Sequence, residues 1–384
     1  MLIYLDYAAT TPMSEDAISM YVKAAKDAFG NSSSLHDIGG FASQTLDASR
    51  KLIASLIGGT YKGLFFTGSG SEANTLAIQS LLNGVDSSKK HIITTQIEHS
   101  SIFNYFKKLA KEGYDVTFLK PDKHGYIEKE QVDKALRADT CLVSIQHGNS
   151  ELGIIQPLAE IGKLLKTKHV LFHSDCVQTF GKVPVNVDTL GLDAVSISSH
   201  KIHGPKGIGA AYVQPSVYWQ PVIEGTTHES GFRPGTVDVP AVAAFAVAAK
   251  KITDSMSEQH HHFKELRKSL IQHLEPISSR ITILNNDEHT ILSNIFPVCV
   301  SDIEGQYIML ECNRYGFAIS TGSACQVGMQ EPSRSLLAIG YDEHKAKQYI
   351  RVSFGVETSE SQILAFAETL IKTVNIFHQR DWRG

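Results

Sequence analysis

A lysine and an aspartate occupy positions where side chains commonly take part in chemistry. Lys201 lies in SSHKIHGPKG, directly after the strand-like AVSIS, and its small and polar neighbours are unlike those of a solvent-facing lysine. Burial and neighbouring cations disfavour a protonated amine, which is the condition for forming a Schiff base. Asp175 ends the run HVLFHSD, where its carboxylate could face a protonated heterocyclic nitrogen or, alternatively, cap a helix. The sequence therefore predicts a Schiff-base lysine with an acidic partner.

A glycine-rich turn is a candidate phosphate site. GSGSEAN, residues 68–74, lies between an apolar strand and a helix, so the amides of Gly70 and Ser71 would point from a helix N-terminus that favours anions. An ordinary strand–helix turn explains the same letters, and the segment is neither GxGxxG nor a P-loop. Ser198 and His200 are candidates for the same phosphate. His200 and His203 are spaced HxxH, but their segment offers no third or fourth zinc ligand, so no metal site is predicted.

Two further residues complete a set that points to one cofactor. His99 follows the strand-like HIITT and could stack on a planar ring, although a lone histidine is more often structural. Gln178 lies shortly after Asp175 and offers a neutral donor for an oxygen near the ring nitrogen. Phosphate cup, stacking group, acid and lysine occur in that order. Together they are what a pyridoxal 5′-phosphate (PLP) site requires, so this cofactor is predicted.

The C-terminal third adds a thiol and a carboxylate-binding group. Cys325 lies in STGSACQ, whose small residues suggest a mobile loop that presents a nucleophile, although a loop cysteine without chemistry is equally compatible. An ordinary thiol is only about 3% ionised at pH 7, so such a nucleophile needs activation. Arg351 lies in the middle of the strand-like YIRVSFG, where a guanidinium needs a carboxylate partner, internal or from a substrate. Asn31, in FGNSSS, could donate to the same carboxylate.

An α/β framework is needed to bring these side chains together. Apolar runs alternate with amphipathic stretches up to about residue 240, which predicts a mostly parallel sheet with helices on both faces. Ligands bind at the carboxyl ends of the strands in such sheets, where the candidates lie. The predicted strands are 63–67, 91–95, 116–119, 142–146, 169–173, 194–198 and 208–213. The predicted helices are one that begins at Ser14, with an apolar face of Ala17, Ile18, Tyr21, Val22, Ala25 and Ala28, and then 72–82, 100–111 and 157–165.

The pattern changes near residue 240 and predicts a second, smaller domain. Long helices are predicted at 239–254, 260–274, 304–313 and 359–377, with strands at 281–284, 295–300, 317–320 and 349–354. We therefore expect an N-terminal arm, residues 1–15, that packs with the small domain. A large PLP-binding α/β domain would cover residues 16–250, and a small α+β domain that carries the Cys325 loop would cover residues 251–384.

Composition excludes several other classes of protein. The 384 residues include 36 Lys+Arg and 40 Asp+Glu, a net charge of −4, which argues against a protein that coats nucleic acid or a membrane surface. The five cysteines have no CxxC spacing, which predicts a cytoplasmic protein without a disulfide framework. The N-terminus has no basic region of a signal peptide, and the longest apolar run, 239–249, is shorter than the roughly 20 residues that span a bilayer.

The motifs together resemble the cysteine desulfurases of the NifS/IscS type, which are class V aminotransferases with the fold-type I PLP architecture. The likeness runs from YLDYAATTP (residues 4–12) to RVSFG (residues 351–355) and includes FTGSGSEAN, HSDCVQ, SSHKIHGPKG, RPGT and GSAC. It implies that Lys201 binds the cofactor covalently, Asp175 pairs with the pyridine nitrogen, Gln178 bonds the phenolic oxygen and His99 stacks on the ring and acts as an acid/base. It also implies that Gly70, Ser71, Ser198 and His200 hold the phosphate.

The resemblance implies a substrate and a homodimer as well. L-Cysteine would be bound through its carboxylate by Arg351 and Asn31, and Cys325 would take its sulfur as a persulfide, which leaves L-alanine. Thr236, in RPGT, would reach the phosphate of the neighbouring subunit's cofactor. The chain departs from the family where two adjacent asparagines are usual, because it has Asn149 followed by Ser150. Asn149 therefore stays a candidate cofactor contact.

The destination of the sulfur is a separate expectation. The chain ends soon after its last predicted helix, without the longer tail that housekeeping relatives use to dock an iron–sulfur scaffold. This favours a dedicated protein acceptor, such as a tRNA-thiolating enzyme or one protein of iron–sulfur cluster biogenesis.

Two other classes of function share parts of the pattern. An aminotransferase or a selenocysteine lyase of the same fold would keep Lys201 and Asp175 but would not need Cys325 to abstract sulfur from cysteine. A catalytically silent scaffold would show no visible absorbance from a lysine-bound cofactor. The combination of Lys201, Asp175 and Arg351 argues against the silent scaffold, and Cys325→Ala would separate the desulfurase from the other two enzymes.

Overall fold

The computed structural model describes residues 2–285, 291–322 and 332–380. Its strands are β1 (Ile3–Tyr4), β2 (Leu64–Thr67), β3 (His91–Thr95), β4 (Asp115–Leu119), β5 (Thr140–Ser144), β6 (Leu171–Asp175), β7 (Ala194–Ser198), β8 (Gly209–Val213), β9 (Ile281–Ile283), β10 (Ile295–Val300), β11 (Phe317–Ala318) and β12 (Tyr349–Ser353). Its helices are α1 (Glu15–Asp27), α2 (Asp37–Leu56), α3 (Gly70–Gly84), α4 (Ser100–Lys111), α5 (Lys129–Ala135), α6 (Leu158–Lys168), α7 (Val239–Asp254), α8 (Met256–His273), α9 (Gly305–Arg314), α10 (Arg334–Ala338), α11 (Glu343–Lys347) and α12 (Glu360–Arg380).

The largest sheet has seven strands in the order β2-β8-β7-β6-β5-β3-β4. β8 runs antiparallel to β2 and β7, and the remaining neighbours are parallel. Every residue of β3, β5 and β7 is buried, because helices cover both faces of the sheet. This arrangement confirms the predicted α/β class with a mostly parallel sheet.

A second, antiparallel sheet has the order β12-β10-β9. The N-terminal segment lies against it: β1 pairs in parallel with β11, and Asp6 forms a backbone bridge with Ser353. Leu5 is fully buried in the apolar core of this sheet. The segment then continues toward the large sheet, where Thr11 N donates to His200 O over 2.9 Å. The N-terminal segment thus contacts both sheets.

The large sheet and the small sheet have separate apolar cores, and α3 and α4 form a further core on the other face of the large sheet. The first packs the large sheet against α2, α6 and α7 and extends to Ile252 near the end of α7. The second packs the small sheet against α8 and α12 and includes Phe263 on α8. The change from the first core to the second therefore falls between Ile252 and Phe263. The division of the chain into an arm and two domains, with a boundary at residue 250, stays a prediction.

Helices α1 and α2 differ from the sequence expectation. α1 begins as predicted, because the Ser14 side chain accepts from Ala17 N, but its predicted apolar face is largely exposed, including Ile18, Tyr21 and Val22. Ala17 and Ala28 of this face pack in the cores beside α7, whereas its larger side chains are left exposed. α2 has no counterpart among the predicted helices, because adjacent glycines at residues 39 and 40 interrupt its helical pattern.

No helix within the described part of the chain has the length and apolar character needed to cross a lipid bilayer.

Candidate active site

The carboxyl ends of four strands of the large sheet supply the predicted residues. Asp175 is the last residue of β6, and Lys201 follows the end of β7 by one short helical turn. His99 lies beyond β3 and caps the start of α4 by accepting from Ser101 N. Gly70 begins α3 directly after β2. The structure therefore places these four residues at the ends of strands, as the sequence predicts.

Lys201 is held by the N-terminal segment. Its Nζ donates to Ala8 O over 2.6 Å and to Ala9 O over 2.7 Å. Backbone carbonyls accept hydrogen bonds without adding a formal negative charge, so they orient the amine without the charge stabilisation that a carboxylate would provide. These acceptors come from the motif YLDYAATTP, but the sequence gives no sign that its carbonyls face the lysine.

Asp175 is fixed by donors that leave it little freedom. Asn74 Nδ2 donates to its Oδ2 over 2.8 Å, and Val177 N donates to its Oδ1 over 2.9 Å. Asn74 Nδ2 also donates to Ser101 Oγ over 3.1 Å, and that hydroxyl lies 2.8 Å from His99 Nδ1. A hydrogen-bonded chain thus joins the buried acid to the histidine. Asn74 is a site residue that sequence reasoning missed, although it is the last residue of the motif GSGSEAN.

An anion cradle lies at the N-terminus of α3. A Cβ atom added at Gly70 would stand 2.8 Å from Val177 Cγ2 and 3.1 Å from Ser198 Cβ, so only glycine allows this close approach. The buried Ser198 Oγ has no hydrogen-bond partner among the described residues. Ser71 is the second residue of α3. An unpartnered hydroxyl beside free helix-terminal amides is the arrangement that a phosphate would complete.

The two histidines near the cradle are held neutral. Burial, and secondly the charge of Lys201, lowers the pKa of His200 to about 4. Its Nδ1 lies 3.1 Å from Thr10 Oγ1. The side chain of His99 reaches solvent, but the protein around it desolvates the imidazole and lowers its pKa. The charge of Asp175 opposes this shift, and that of Lys201 adds to it. Both imidazoles can therefore stack or donate without carrying a charge at neutral pH.

Gln178 and Asn149 use their amides differently. Gln178 Nε2 donates to Ala8 O over 2.9 Å, so its amide faces the same carbonyl that accepts from Lys201. Asn149 Oδ1 accepts from the backbone of Glu151 and Leu152, and its Nδ2 donates to Ile97 O over 3.1 Å and to Ser335 Oγ over 3.4 Å. Asn149 thereby stabilises its own turn, and its direct contact with the cofactor stays a prediction.

Arg351 is buried and already has a carboxylate partner. Its NH2 group donates to Asp6 Oδ1 over 2.8 Å, and its NH1 group donates to Ser150 O over 2.9 Å. Its Nε is buried without a partner within the described residues. The sequence leaves two roles open for this arginine, an internal ion pair and a substrate clamp. A guanidinium that keeps one donor unused is compatible with both.

Two predicted site residues are not brought to this cluster. Asn31 is exposed after α1 and accepts from Ser33 N over 2.9 Å; no hydrogen bond among the described residues joins it to Arg351. Thr236 is exposed before α7. Cys325 lies outside the described residues. The described chain that precedes it contacts the site, because the backbone of Ser320 pairs with that of Arg351.

Comparison with known proteins places the chain in a family. Residues 3–366 match the model of the family described as Aminotransferase class-V. The chain belongs to this family. A Bacillus subtilis (strain 168) protein named "Putative cysteine desulfurase NifS" is 47% identical over 99% of this chain and 95% of its own length. A "Cysteine desulfurase IscS" from Dictyoglomus turgidum is 35% identical over 99% of this chain and 98% of its own length.

A solved structure supports the same assignment of this class V aminotransferase. A structure described as "NIFS-LIKE PROTEIN" superposes with a TM-score of 0.90 at 29% identity and covers 98% of this chain and 100% of its own. The resemblance that the motifs predict, to cysteine desulfurases of the NifS/IscS type, is therefore confirmed.

Glu98, next to His99, is a buried acid that the motif analysis did not interpret. Thr95 Oγ1 donates to its Oε1 over 2.8 Å, and Gln146 N donates to the same oxygen over 3.0 Å. Burial outweighs these hydrogen bonds and raises the pKa of Glu98 to about 8. At neutral pH its carboxyl group is therefore largely protonated in the folded protein, although it would be ionised in the unfolded chain.

We expect this carboxyl group to make stability depend on pH. Between about pH 5 and pH 8 the unfolded state loses the proton of Glu98 and the folded state keeps it, so the free energy of unfolding falls as pH rises. Glu98→Gln removes this dependence while preserving shape. The stability of E98Q relative to the unsubstituted protein should rise by about 3 kcal/mol from pH 5 to pH 8, measured by urea unfolding. The exposed Glu112→Gln is the control, and a constant difference for E98Q would contradict the prediction.

Proposed function

We propose that this chain is a PLP-dependent cysteine desulfurase that converts L-cysteine to L-alanine and holds the sulfur as a persulfide on Cys325. The observation that carries this proposal is the convergence of the Lys201 amine, the fixed Asp175 carboxylate and the α3 anion cradle at one edge of the sheet. A phosphorylated pyridine aldehyde needs these three kinds of group together. The names of the similar proteins support cysteine as the substrate.

The hydrogen-bond donors that have no partner within the described part of this site match the polar groups of PLP. The unpartnered Ser198 hydroxyl and the first amides of α3 are donors for the phosphate, with neutral His200 beside them and Ser71 in the first turn. When bound, the cofactor supplies an electron sink that makes the substrate's Cα–H acidic. Asp175 would hold a proton on the ring nitrogen, because Asn74 and Val177 fix its carboxylate in place. Gln178 would donate to the phenolic oxygen.

The other side chains would bind the substrate and move its protons. Lys201 would hold the cofactor's aldehyde and then accept and return the proton at the substrate's Cα. His99 would stack on the ring, and its neutral imidazole can exchange a proton. Arg351 would bind the substrate carboxylate, since its Nε is without a partner among the described residues, and Asn31 would assist it. The desulfurase then needs a sulfur acceptor.

Elimination among the cysteines supports Cys325 as that acceptor. The other four, Cys141, Cys176, Cys299 and Cys312, are buried free thiols. Burial raises the pKa of Cys141 to about 11 and the pKa of each of the other three to about 12, so these thiols are poor nucleophiles. In the net reaction the substrate's Cβ–S bond breaks, an S–S bond to Cys325 forms, and the thiol proton of Cys325 ends on the carbon of alanine.

We also propose that two chains form a homodimer through the exposed face of α1 and the segment beyond it. Ile18, Tyr21 and Val22 on α1 are exposed, and Phe29 and Phe41 beyond the helix are 65% and 48% exposed. A cluster of large apolar side chains of this kind typically marks an interface with another protein. Exposed Thr236 would then reach the phosphate of the partner's cofactor, as the family resemblance implies.

A persulfide on Cys325 is the most direct test of the function. After L-cysteine is added, mass spectrometry should find one additional sulfur atom on the peptide that contains Cys325, and alanine should appear. Cys325→Ala should abolish both, because no other thiol is placed to accept the sulfur, whereas Cys312→Ala should keep both. An aminotransferase or a lyase without a cysteine nucleophile is indicated instead if C325A produces alanine from cysteine at the unsubstituted rate.

The proposed interface predicts how substitutions change the oligomeric state. Val22→Asp should weaken the dimer about tenfold or more, because a carboxylate would be buried without a partner. The measurement is analytical ultracentrifugation over a range of protein concentrations. Leu310→Asp, which changes a 56% exposed side chain on α9, should leave dimerisation unchanged. Equal dissociation constants for both variants would exclude the α1 face as the interface.

The final acceptor of the sulfur is a further part of the proposal. We propose a cytoplasmic protein acceptor, either a tRNA-thiolating enzyme or an iron–sulfur scaffold. Enzyme loaded with labelled sulfur on Cys325 should transfer the label to one of these proteins and not to bovine serum albumin that carries an accessible thiol. Label that remains on the desulfurase, or that passes equally to every thiol, would argue against a dedicated acceptor.

A further inference from the structure

A second lysine lies beside the catalytic one. Lys182 follows Gln178 by four residues, and its Nζ lies 3.4 Å from Gln178 Oε1. Lys182 and Lys201 line the same small cavity, together with Tyr7 and His203. The proposed chemistry gives Lys182 no part, and the motif analysis did not single it out. Its position near Lys201 means that its charge affects the protonation of the Lys201 amine.

The surroundings of Lys182 are unusual for a lysine ammonium. No carboxylate within the described residues lies within 4.0 Å of its Nζ, and its charged neighbours, Lys201 and Arg351, are both cations. Burial, followed by those two charges, lowers the pKa of Lys182 to about 7. The neighbouring His200 and His203 are also kept neutral mainly by burial, with Lys182 contributing. A partly buried cation with no carboxylate beside it is costly, and a lysine whose pKa is lowered in this way is often found at a functional site.

We propose that Lys182 is a positioning residue that favours the unprotonated Lys201 amine and orients the Gln178 amide toward it. This inference rests on the proposed function, because an unprotonated amine matters only if Lys201 reacts with an aldehyde. It assigns a part in that function to Lys182, which the family resemblance did not identify as a site residue.

The electrostatic part follows from two amines that share one pocket. Two like charges close together in a poorly solvated site disfavour each other, so the pair tends to hold one proton rather than two near neutral pH. Either amine can keep that proton, but each is neutral more often than it would be alone. A neutral Lys201 is the form that attacks an aldehyde, so the second amine increases the reactive fraction of the first.

The orienting part follows from the hydrogen bonds of Gln178. Its Oε1 accepts from Lys182, and its Nε2 donates to Ala8 O, which also accepts from Lys201 Nζ. The opposite amide orientation would place an acceptor against the Ala8 carbonyl and donors against the lysine. Lys182 therefore selects the orientation in which the amide N–H groups of Gln178 lie on the side of Lys201, where a donor to a cofactor oxygen is required.

Chemical labelling of the full-length, cofactor-free protein tests the inference. The rate at which Lys201 reacts with acetic anhydride at pH 7 reports its unprotonated fraction and is read by mass spectrometry of the labelled peptide. Lys182→Met keeps the length of the side chain and removes its charge, and it should slow this reaction about threefold or more. Lys182→Arg retains the charge and should restore most of the rate. An unchanged rate in K182M would overturn the proposal.

A control variant separates a local effect from a change in overall charge. Lys206 is exposed in the same chain segment, so Lys206→Met removes an equal charge that water screens. It should change the acetylation rate of Lys201 by less than the experimental scatter. If K206M and K182M slowed the acetylation of Lys201 equally, the effect would come from overall charge and not from the position of Lys182. That result would likewise overturn the proposal.

Absorption spectroscopy of the PLP-loaded protein provides a second readout, which tests the role of Lys182 separately from the proposed function. The pH at which its visible absorption band titrates should be higher in K182M than in the unsubstituted protein, while K206M should match the latter. A band that titrates at the same pH in all three would contradict the role of Lys182 and leave the proposed function standing. The absence of any such band in the unsubstituted protein would contradict the proposed function, and the labelling rates would still decide the role of Lys182.

Discussion

The two hydrogen bonds that Lys201 donates to the carbonyls of Ala8 and Ala9 are the contact on which the site depends. They join the chain just after β7 to the N-terminal segment, which begins at β1 beside the small sheet. The same segment pairs Asp6 with Arg351 and receives the side chain of Gln178 at Ala8 O. The carbonyls of Ala8 and Ala9 can hold these groups because they lie outside any helix or strand that would use them. A shift of this segment would displace the amine, the neutral donor and the guanidinium together.

The charges around this segment suit a small substrate that carries negative charge. Arg351 and the Lys182–Lys201 pair bring positive charge to one region, and the histidines there are neutral because they are buried. Asp175 balances them on the side of the sheet, where Asn74 fixes its direction. A phosphate and a carboxylate bound in this region would therefore neutralise positive charge that the protein itself leaves partly uncompensated.

The sequence predicts the parts of the site that depend on short-range order. Lys201, Asp175 and His99 each follow an apolar strand, and parallel strands bring their carboxyl ends to one edge whatever the details of packing. Asn74 and Lys182 were not predicted, because their roles come from contacts that no local pattern encodes. Asn74 reaches Asp175 across 101 residues of sequence, and an isolated asparagine inside a helix is ordinary without that contact.

The errors in the fold have the same origin. An apolar stripe such as that of α1 shows which face avoids water, but it does not show whether the partner is this chain or another. α2 was missed because local propensity penalises adjacent glycines, whereas the structure requires one of them. A Cβ at Gly39 would stand 2.4 Å from Ser34 O, so the close approach of the preceding loop selects glycine there despite its poor helix propensity.

The state of Arg351 has a consequence for how a substrate would bind. Its guanidinium is already bonded to Asp6 and to the carbonyl of Ser150, so a substrate carboxylate would meet a partly neutralised cation. The attraction is then weaker than that of a bare arginine, but the guanidinium is held in one orientation before binding, which reduces the entropy lost on association. The unpartnered Nε is the donor that such a carboxylate could satisfy without displacing Asp6. Prior orientation by Asp6 and an unused donor on the same group together favour a substrate that presents its carboxylate in one direction, as an α-amino acid held at the Lys201 site would.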